Sequence, residues 1–124
     1  MKFKQLKQTD LAVSGLCFGT MTFGKPADQQ TCTRMVDQCI EAGINFFDTA
    51  NMYQLGVAET MLGEALKGRR AKQILATKVR FKMGEGADES GLSKRAIYRA
   101  IDESLKRLQT DYVDIYYLHF PDYA

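Results

Sequence analysis

Asp48, Tyr53, Lys78 and His119 carry side chains that together can move a proton to a carbonyl oxygen, and their placement along the chain is regular. Three of them stand at or just past the end of a short β-branched or aromatic run. Ile44-Asn45-Phe46-Phe47 leads to Asp48, Ile74-Leu75-Ala76-Thr77 to Lys78, and Val113-Asp114-Ile115-Tyr116-Tyr117-Leu118 to His119. Tyr53 follows in the loop Thr49-Ala50-Asn51-Met52, short enough to fold a phenol back over the strand ends. A free phenol ionises near pH ~10, so its use as a general acid near neutrality is helped by a cation that stabilises the phenolate. Lys78 is the candidate cation. A lysine in a partly dry cleft keeps its charge only beside a counter-ion, and Asp48 on the neighbouring strand is placed to be one. His119 is the candidate donor to the substrate oxygen.

Each residue taken alone also has a structural reading. Asp48 can cap the loop after it, Lys78 can snorkel from a strand end, Tyr53 can be a packed aromatic, and His119 can satisfy loop carbonyls. Their joint placement on three successive strand ends and one loop is not required by any of these roles. In a parallel sheet all strand C-termini emerge on one face, so residues distant in sequence converge there.

The elements that must deliver this convergence can be read in order. Residues 2–13 alternate around Gln8-Thr9-Asp10 as a small hairpin does. A first parallel strand is expected at 16–20. Asp28 caps a helix running to about residue 42, with Cys32, Met35, Val36, Cys39 and Ile40 inward and Gly43 in the left-handed terminal position. Strand 44–48 precedes a helix at 57–67 with Ala58, Leu62, Ala65 and Leu66 on one face, ended by Gly68. Strand 73–79 leads into an exposed, glycine-containing rim loop from Lys82 to Gly91, expected to be mobile. Ser93 caps a helix with Ala96, Ile97, Ala100, Ile101, Leu105 and Leu108 inward, and Arg99 with Glu103 and Asp102 with Lys106 as outer pairs. Strand 112–118 completes the series. The pattern is a hairpin followed by β-α-β-α-β-α-β, an α/β class with right-handed crossovers.

The chain has 124 residues, of which 45% are hydrophobic, enough to bury a core as one domain, 1–124. Its formal net charge of +2 argues against nucleic acid or an anionic membrane as partner. The basic run Lys67-Gly68-Arg69-Arg70-Ala71-Lys72 reads as a solvated loop at a helix C-terminus. Cys17, Cys32 and Cys39 occupy apolar-periodic positions and lack metal-ligand spacing with the single histidine, so they read as reduced core cysteines with no metal site. The start Met1-Lys2-Phe3-Lys4-Gln5 resembles neither a secretory signal nor a membrane span, and a cytoplasmic location is expected.

Several segments together resemble the aldo-keto reductases: Gly19-Thr20-Met21-Thr22-Phe23-Gly24, Phe47-Asp48-Thr49-Ala50 with Tyr53, Gly56 and Glu59, Leu62-Gly63-Glu64-Ala65-Leu66, Ala76-Thr77-Lys78, and Leu118-His119-Phe120-Pro121-Asp122. The first segment leans toward the branch with aflatoxin-aldehyde-reductase-like and potassium-channel β-subunit-like members. The resemblance implies a (β/α)8 TIM barrel whose bottom is closed by the hairpin, and NADPH-dependent reduction of aldehydes or ketones. It implies Tyr53 as proton donor, Lys78 and Asp48 as its tuning pair, and His119 as the group that positions the carbonyl. Gly19, Thr20 and Met21 match the segment that lines the cofactor, with Asp48 near the nicotinamide ribose. Gln54 and the Val57-Ala58 pair depart from the family's common glycine and serine, which bears on loop shape and substrate choice more than on chemistry.

Such a barrel takes about 250 residues, so this chain corresponds to roughly half: the hairpin and the first four strands. A phosphate site in barrels of this type is frequently built after strands seven and eight, and no Gly-x-Gly-x-x-Gly segment replaces it here. Two readings remain open. One is a reductase of small-molecule carbonyls completed by a C-terminal half. The other is a non-catalytic half-barrel that acts by assembly, including self-association through its open edges.

Overall fold

The computed structural model describes residues 1–123. An antiparallel hairpin of β1 (Phe3–Gln5) and β2 (Ala12–Ser14) precedes a four-stranded parallel sheet, β3 (Phe18–Gly19), β4 (Phe46–Asp48), β5 (Ile74–Val79) and β6 (Ile115–Leu118), paired in that order. Helices α1 (Gln29–Glu41), α2 (Val57–Ala65) and α3 (Lys94–Leu108) connect the strands. The register sets Gly19 opposite Asp48, Asp48 opposite Ala76, and Lys78 opposite Tyr117. All four C-termini therefore lie at one end. The hairpin is tied to the other: Asn45, just before β4, accepts from the Ser14 amide and donates to the Ala12 carbonyl through its side chain.

The helices begin where cap chemistry permits. The Asp28 carboxylate accepts from the Thr31 amide, and the Ser93 hydroxyl accepts from the Ala96 amide. Gly43 takes a φ of 87° directly after the Ala42 cap of α1, as the sequence pattern requires of a residue that ends a helix, whereas α2 stops at Ala65 rather than 67 and Gly68, with a φ of 81°, lies two residues beyond its Leu66 cap. The helices cover one face of the sheet, which we call outer. Its core joins Phe47 and Leu75 to Cys32 and Val36 of α1, Ala58, Leu62 and Ala65 of α2 with Leu66 beyond it, and Leu108 of α3. The α2–α3 contact is close because Gly63 has no side chain: a Cβ there would lie 2.6 Å from the Leu108 carbonyl oxygen. Among the described residues no helix is long and apolar enough to cross a membrane.

Several expected features differ. The first strand shrinks from 16–20 to two residues, with Leu16 exposed and Thr20 already turned toward Asp48. The last strand starts at Ile115, because Asp114 spends its carboxylate on the Leu75 amide and on Arg70. Cys17 is exposed rather than in the core, whereas Cys32 and Cys39 are buried. The outer pairs on α3 are replaced: Arg99 reaches Glu89 in the rim loop, and Lys106 pairs with Glu103 one turn back. The basic run is more than a solvated loop, since Arg69 holds the Ala65 carbonyl and Asp37, and Arg70 holds the Gln73 and Tyr112 carbonyls.

The rim loop is folded around one side chain. Glu89 accepts from the Gly86 amide, and its own carbonyl accepts from Met83. A Cβ on Gly84 or Gly86 would collide with the Glu89 carboxylate, at 2.7 and 2.6 Å. These glycines permit that close approach, a need distinct from the mobility expected of them.

Candidate functional site

Alternation along β5 sends the side chains of Thr77 and Val79 to the helix-covered outer face and that of Lys78 to the inner face. There the Lys78 ammonium is 2.5 Å from Oδ2 of Asp48, the next strand's last residue. It also donates to the Thr49 carbonyl at 2.8 Å and to the Tyr53 hydroxyl at 3.1 Å. Three acceptors thus surround one ammonium whose side chain is 14% exposed. This satisfies a charge that partial burial would otherwise penalise. Charge-assisted bonds of this kind are roughly twice as strong as neutral ones, so the Tyr53 oxygen is held by the strongest donor nearby.

Tyr53 reaches this position through an unusual turn. Gln54, Leu55 and Gly56 all have positive φ, of 51°, 50° and 98°, before α2 begins at Val57. Glycine tolerates this conformation; the other two pay about 1–2 kcal/mol each. The departure of Gln54 from the family's glycine therefore leaves the left-handed turn in place and adds strain to it.

His119 follows β6, and its amide donates to the Val79 carbonyl, which extends the β5–β6 ladder by one step. Its ring meets Tyr53 edge-on at 5.8 Å between centroids and Phe81 at 5.0 Å. Burial, reinforced by the Lys78 ammonium and opposed by Asp48, lowers its pKa from 6.5. The imidazole is therefore neutral near pH 7. A neutral imidazole keeps one N–H donor and one acceptor. Nδ1 is buried and finds no partner among the described residues. All four expected residues are thus brought to one end of the sheet, three of them linked by hydrogen bonds.

The segment Gly19-Thr20-Met21 borders this cluster. Thr20 is fully buried and its hydroxyl and amide both point to the Asp48 carbonyl, so its side chain positions β4. Gly19 has open space where a Cβ would be, and Met21 is 65% exposed. Cys17 lies within the field of the same groups. Although Cys17 is exposed as a residue, its thiol is partly shielded and is pushed up to about 11, by desolvation first and the Asp48 carboxylate second, with Lys78 opposing. It is thus a protonated neighbour, unsuited to nucleophilic work at neutral pH.

Sequence reasoning left Glu59, Thr77 and Arg107 without a role. Glu59 has no solvent exposure; Oε2 accepts from the Thr77 hydroxyl at 2.7 Å and Oε1 from Arg107 Nε at 2.8 Å. The signal was its spacing: Glu59, Leu62 and Leu66 fall at i, i+3 and i+7, which puts the carboxylate on the buried face. Among the described residues no group of three or more His, Cys, Asp or Glu could hold a metal ion. A cavity of about 210 Å³ lies behind the site, between the rim loop and α3, where Val79, Asn51, Arg99 and Glu103 line it.

The chain is similar to known proteins in both sequence and fold. The model of the aldo/keto reductase family matches residues 15–124. A probable voltage-gated potassium channel subunit beta of Oryza sativa subsp. japonica is 40% identical over 98% of this chain and 38% of its own length. An uncharacterized oxidoreductase of Bacillus subtilis, YrpG, is 42% identical over 98% of this chain and 41% of its own. The holo form of aldo-keto reductase AKR11C1 from Bacillus halodurans superposes with a TM-score of 0.82 at 46% identity, covering 95% of this chain and 40% of that one. The chain thus spans about two fifths of the length of the relatives it matches.

Proposed function

Because the chain belongs to the aldo/keto reductase family, we propose that it forms the catalytic half of an NADPH-dependent reductase of small aldehydes or ketones, with Tyr53 as proton donor. The observation that carries this reading is the Lys78 ammonium bonded at once to Asp48 and to the Tyr53 hydroxyl. The open space over Gly19 and the exposed Met21 beside Asp48 fit a flat ring lying at the strand ends, so Gly19, Met21 and Asp48 are the residues that would hold the nicotinamide. Bound there, the cofactor supplies a hydride to the carbonyl carbon.

The side chains of this chain supply the rest. As the C=O bond opens, charge gathers on oxygen, and Tyr53 Oη donates its proton to it, leaving an alcohol and a phenolate. Lys78 stabilises that phenolate directly, and Asp48 is the counter-ion bonded to Lys78 on its other side. His119, neutral and held between Tyr53 and Phe81, donates an N–H to the same oxygen and fixes its approach. Tyr53→Phe in the complete protein tests the assignment: turnover should fall on the order of 10²–10⁴-fold with NADPH affinity nearly unchanged. Near-normal turnover by that variant removes Tyr53 as the donor.

A second reading rests on a different observation. Among the described residues β3 and β6 each pair on one side only, and Tyr117, Leu118 and Phe120 are 43%, 61% and 55% exposed. An unpaired edge beside apolar surface favours addition of further strands. In this reading the sheet acts by assembly, with a complementing C-terminal half or with a second copy, and carries out no chemistry alone. The cytoplasm suits either reading.

A further inference from the structure

We infer that Glu59 and Arg107 are positioning residues for Tyr53: their ion pair, anchored to β5 through Thr77, holds the left-handed turn that keeps the phenol against Lys78. The inference rests on the proton-donor reading of Tyr53 given above.

A buried carboxylate costs several kcal/mol of desolvation, and a well-packed apolar residue often does the same structural work at no loss. Leu62, one turn further along α2, is fully buried in that way. The use best attested for a buried polar pair is to specify one arrangement over others. Here the arrangement to be specified is costly. Gln54 and Leu55 stay left-handed only if their surroundings over-determine them.

Arg107 is that surrounding. Its side chain lies across Gly56, so close that a Cβ built on the glycine would fall 2.8 Å from Cδ and 3.0 Å from Nε of Arg107. The same Nε donates to Glu59, which lies in the first turn of α2, just past the strained residues. One guanidinium thus roofs the turn and grips its exit. The other carboxylate oxygen of Glu59 takes the Thr77 hydroxyl, and Thr77 directly precedes Lys78 on β5. The strand therefore fixes the Tyr53 turn from both faces, by Lys78 on the inner side and by Thr77 through Glu59 on the outer. Neither Glu59 nor Arg107 touches the reacting atoms. Their effect runs through the distance between the phenol and the ammonium.

The test measures kcat of the complete reductase, and its KM for NADPH with NADPH varied at saturating carbonyl substrate, for Arg107→Lys and Thr77→Val, each made in the parent and in Tyr53→Phe. A lysine at 107 keeps the charge but loses the fork that reaches both Gly56 and Glu59. It should lower kcat about tenfold in the parent, with KM for NADPH within about twofold, because small misplacements at a reacting centre cost rate more than binding. In Tyr53→Phe, where no phenol remains to position, the same change should leave the residual turnover unaltered. Thr77→Val, near-isosteric and lacking one hydroxyl, should repeat the pattern with a loss of about threefold, and it carries the test if Arg107→Lys does not fold. Equal proportional losses in both backgrounds, or no loss in the parent, overturn the inference alone. Full turnover by Tyr53→Phe by itself overturns the donor reading and the inference with it.

Discussion

The Lys78 ammonium lies 3.1 Å from the Tyr53 hydroxyl, and the same nitrogen lies 2.5 Å from Oδ2 of Asp48, so one cation bridges two strands and the loop between them. Removal of that cation has two consequences of different size. In Lys78→Met the Asp48 carboxylate loses its counter-ion in a half-buried position, which should cost stability about 2–3 kcal/mol. The phenolate loses its stabilising charge as well, so turnover should fall at least about 10²-fold. Urea denaturation and steady-state kinetics on one preparation separate the two. A variant that loses stability and keeps its rate would show the pair to be structural.

The turn after Tyr53 makes a prediction of opposite sign. Leu55 has a φ of 50° and is 70% exposed, so its side chain contributes little burial to offset the strain. Replacement by glycine removes about 1–2 kcal/mol of left-handed strain and adds about 0.5–1 kcal/mol of unfolded-chain entropy. Leu55→Gly should therefore stabilise the chain by about 0.5–1 kcal/mol, seen as a higher urea midpoint at unchanged slope. A lower midpoint would mean that the Leu55 side chain makes a contribution larger than its exposure allows.

The pattern of what was legible beforehand follows from the range of each interaction. Cys32, Val36 and Cys39 on α1, and Ala58, Leu62, Ala65 and Leu66 in and just after α2, are buried where three-and-four spacing placed them, because a helix face is a local property. Asp48, Lys78 and His119 converge because strand polarity alone carries them to one end. Strand lengths were less legible. Whether residue 16 or residue 113 joins a ladder depends on partners far away in sequence, here Thr20 with Asp48 and Asp114 with Leu75. The buried position of Glu59 was legible from its spacing with Leu62 and Leu66, but its partner was not, because Arg107 lies 48 residues away.

Acid should weaken the fold through His119. Its folded pKa is depressed below 6.5 by burial first and by Lys78 second, with Asp48 opposing. The unfolded state therefore binds the proton more readily. The stability that comes from keeping the ring neutral is present above about pH 6.5 and is lost as pH falls through the folded pKa. Denaturant midpoints from pH 7.5 down to pH 5 should fall more steeply for the parent than for His119→Gln, whose side chain stays neutral throughout. Parallel curves for the two proteins would place the acid sensitivity elsewhere.

The isolated 124-residue chain should associate and should bind NADPH weakly. Its outer face is covered by three helices, but the inner face carries Phe46 and Ile115 half-buried and the β6 edge leaves Leu118 61% exposed. Full burial of such a side chain from an exposed start yields about 1.5–3 kcal/mol, and covering the part of each that is still exposed yields a fraction of that, which in combination favours a second copy against an exposed monomer. The cofactor's phosphates are anionic, and in barrels of this class their donors are frequently supplied after strands seven and eight, beyond the four parallel strands seen here. The Lys78 ammonium cannot substitute, since its three bonds already go to Asp48, Thr49 and Tyr53. Light scattering at rising concentration should therefore give masses above the monomer, and fluorescence titration should give no saturation at micromolar NADPH. A monodisperse monomer that binds micromolar NADPH and turns over an aldehyde would show that four strands make a self-sufficient reductase.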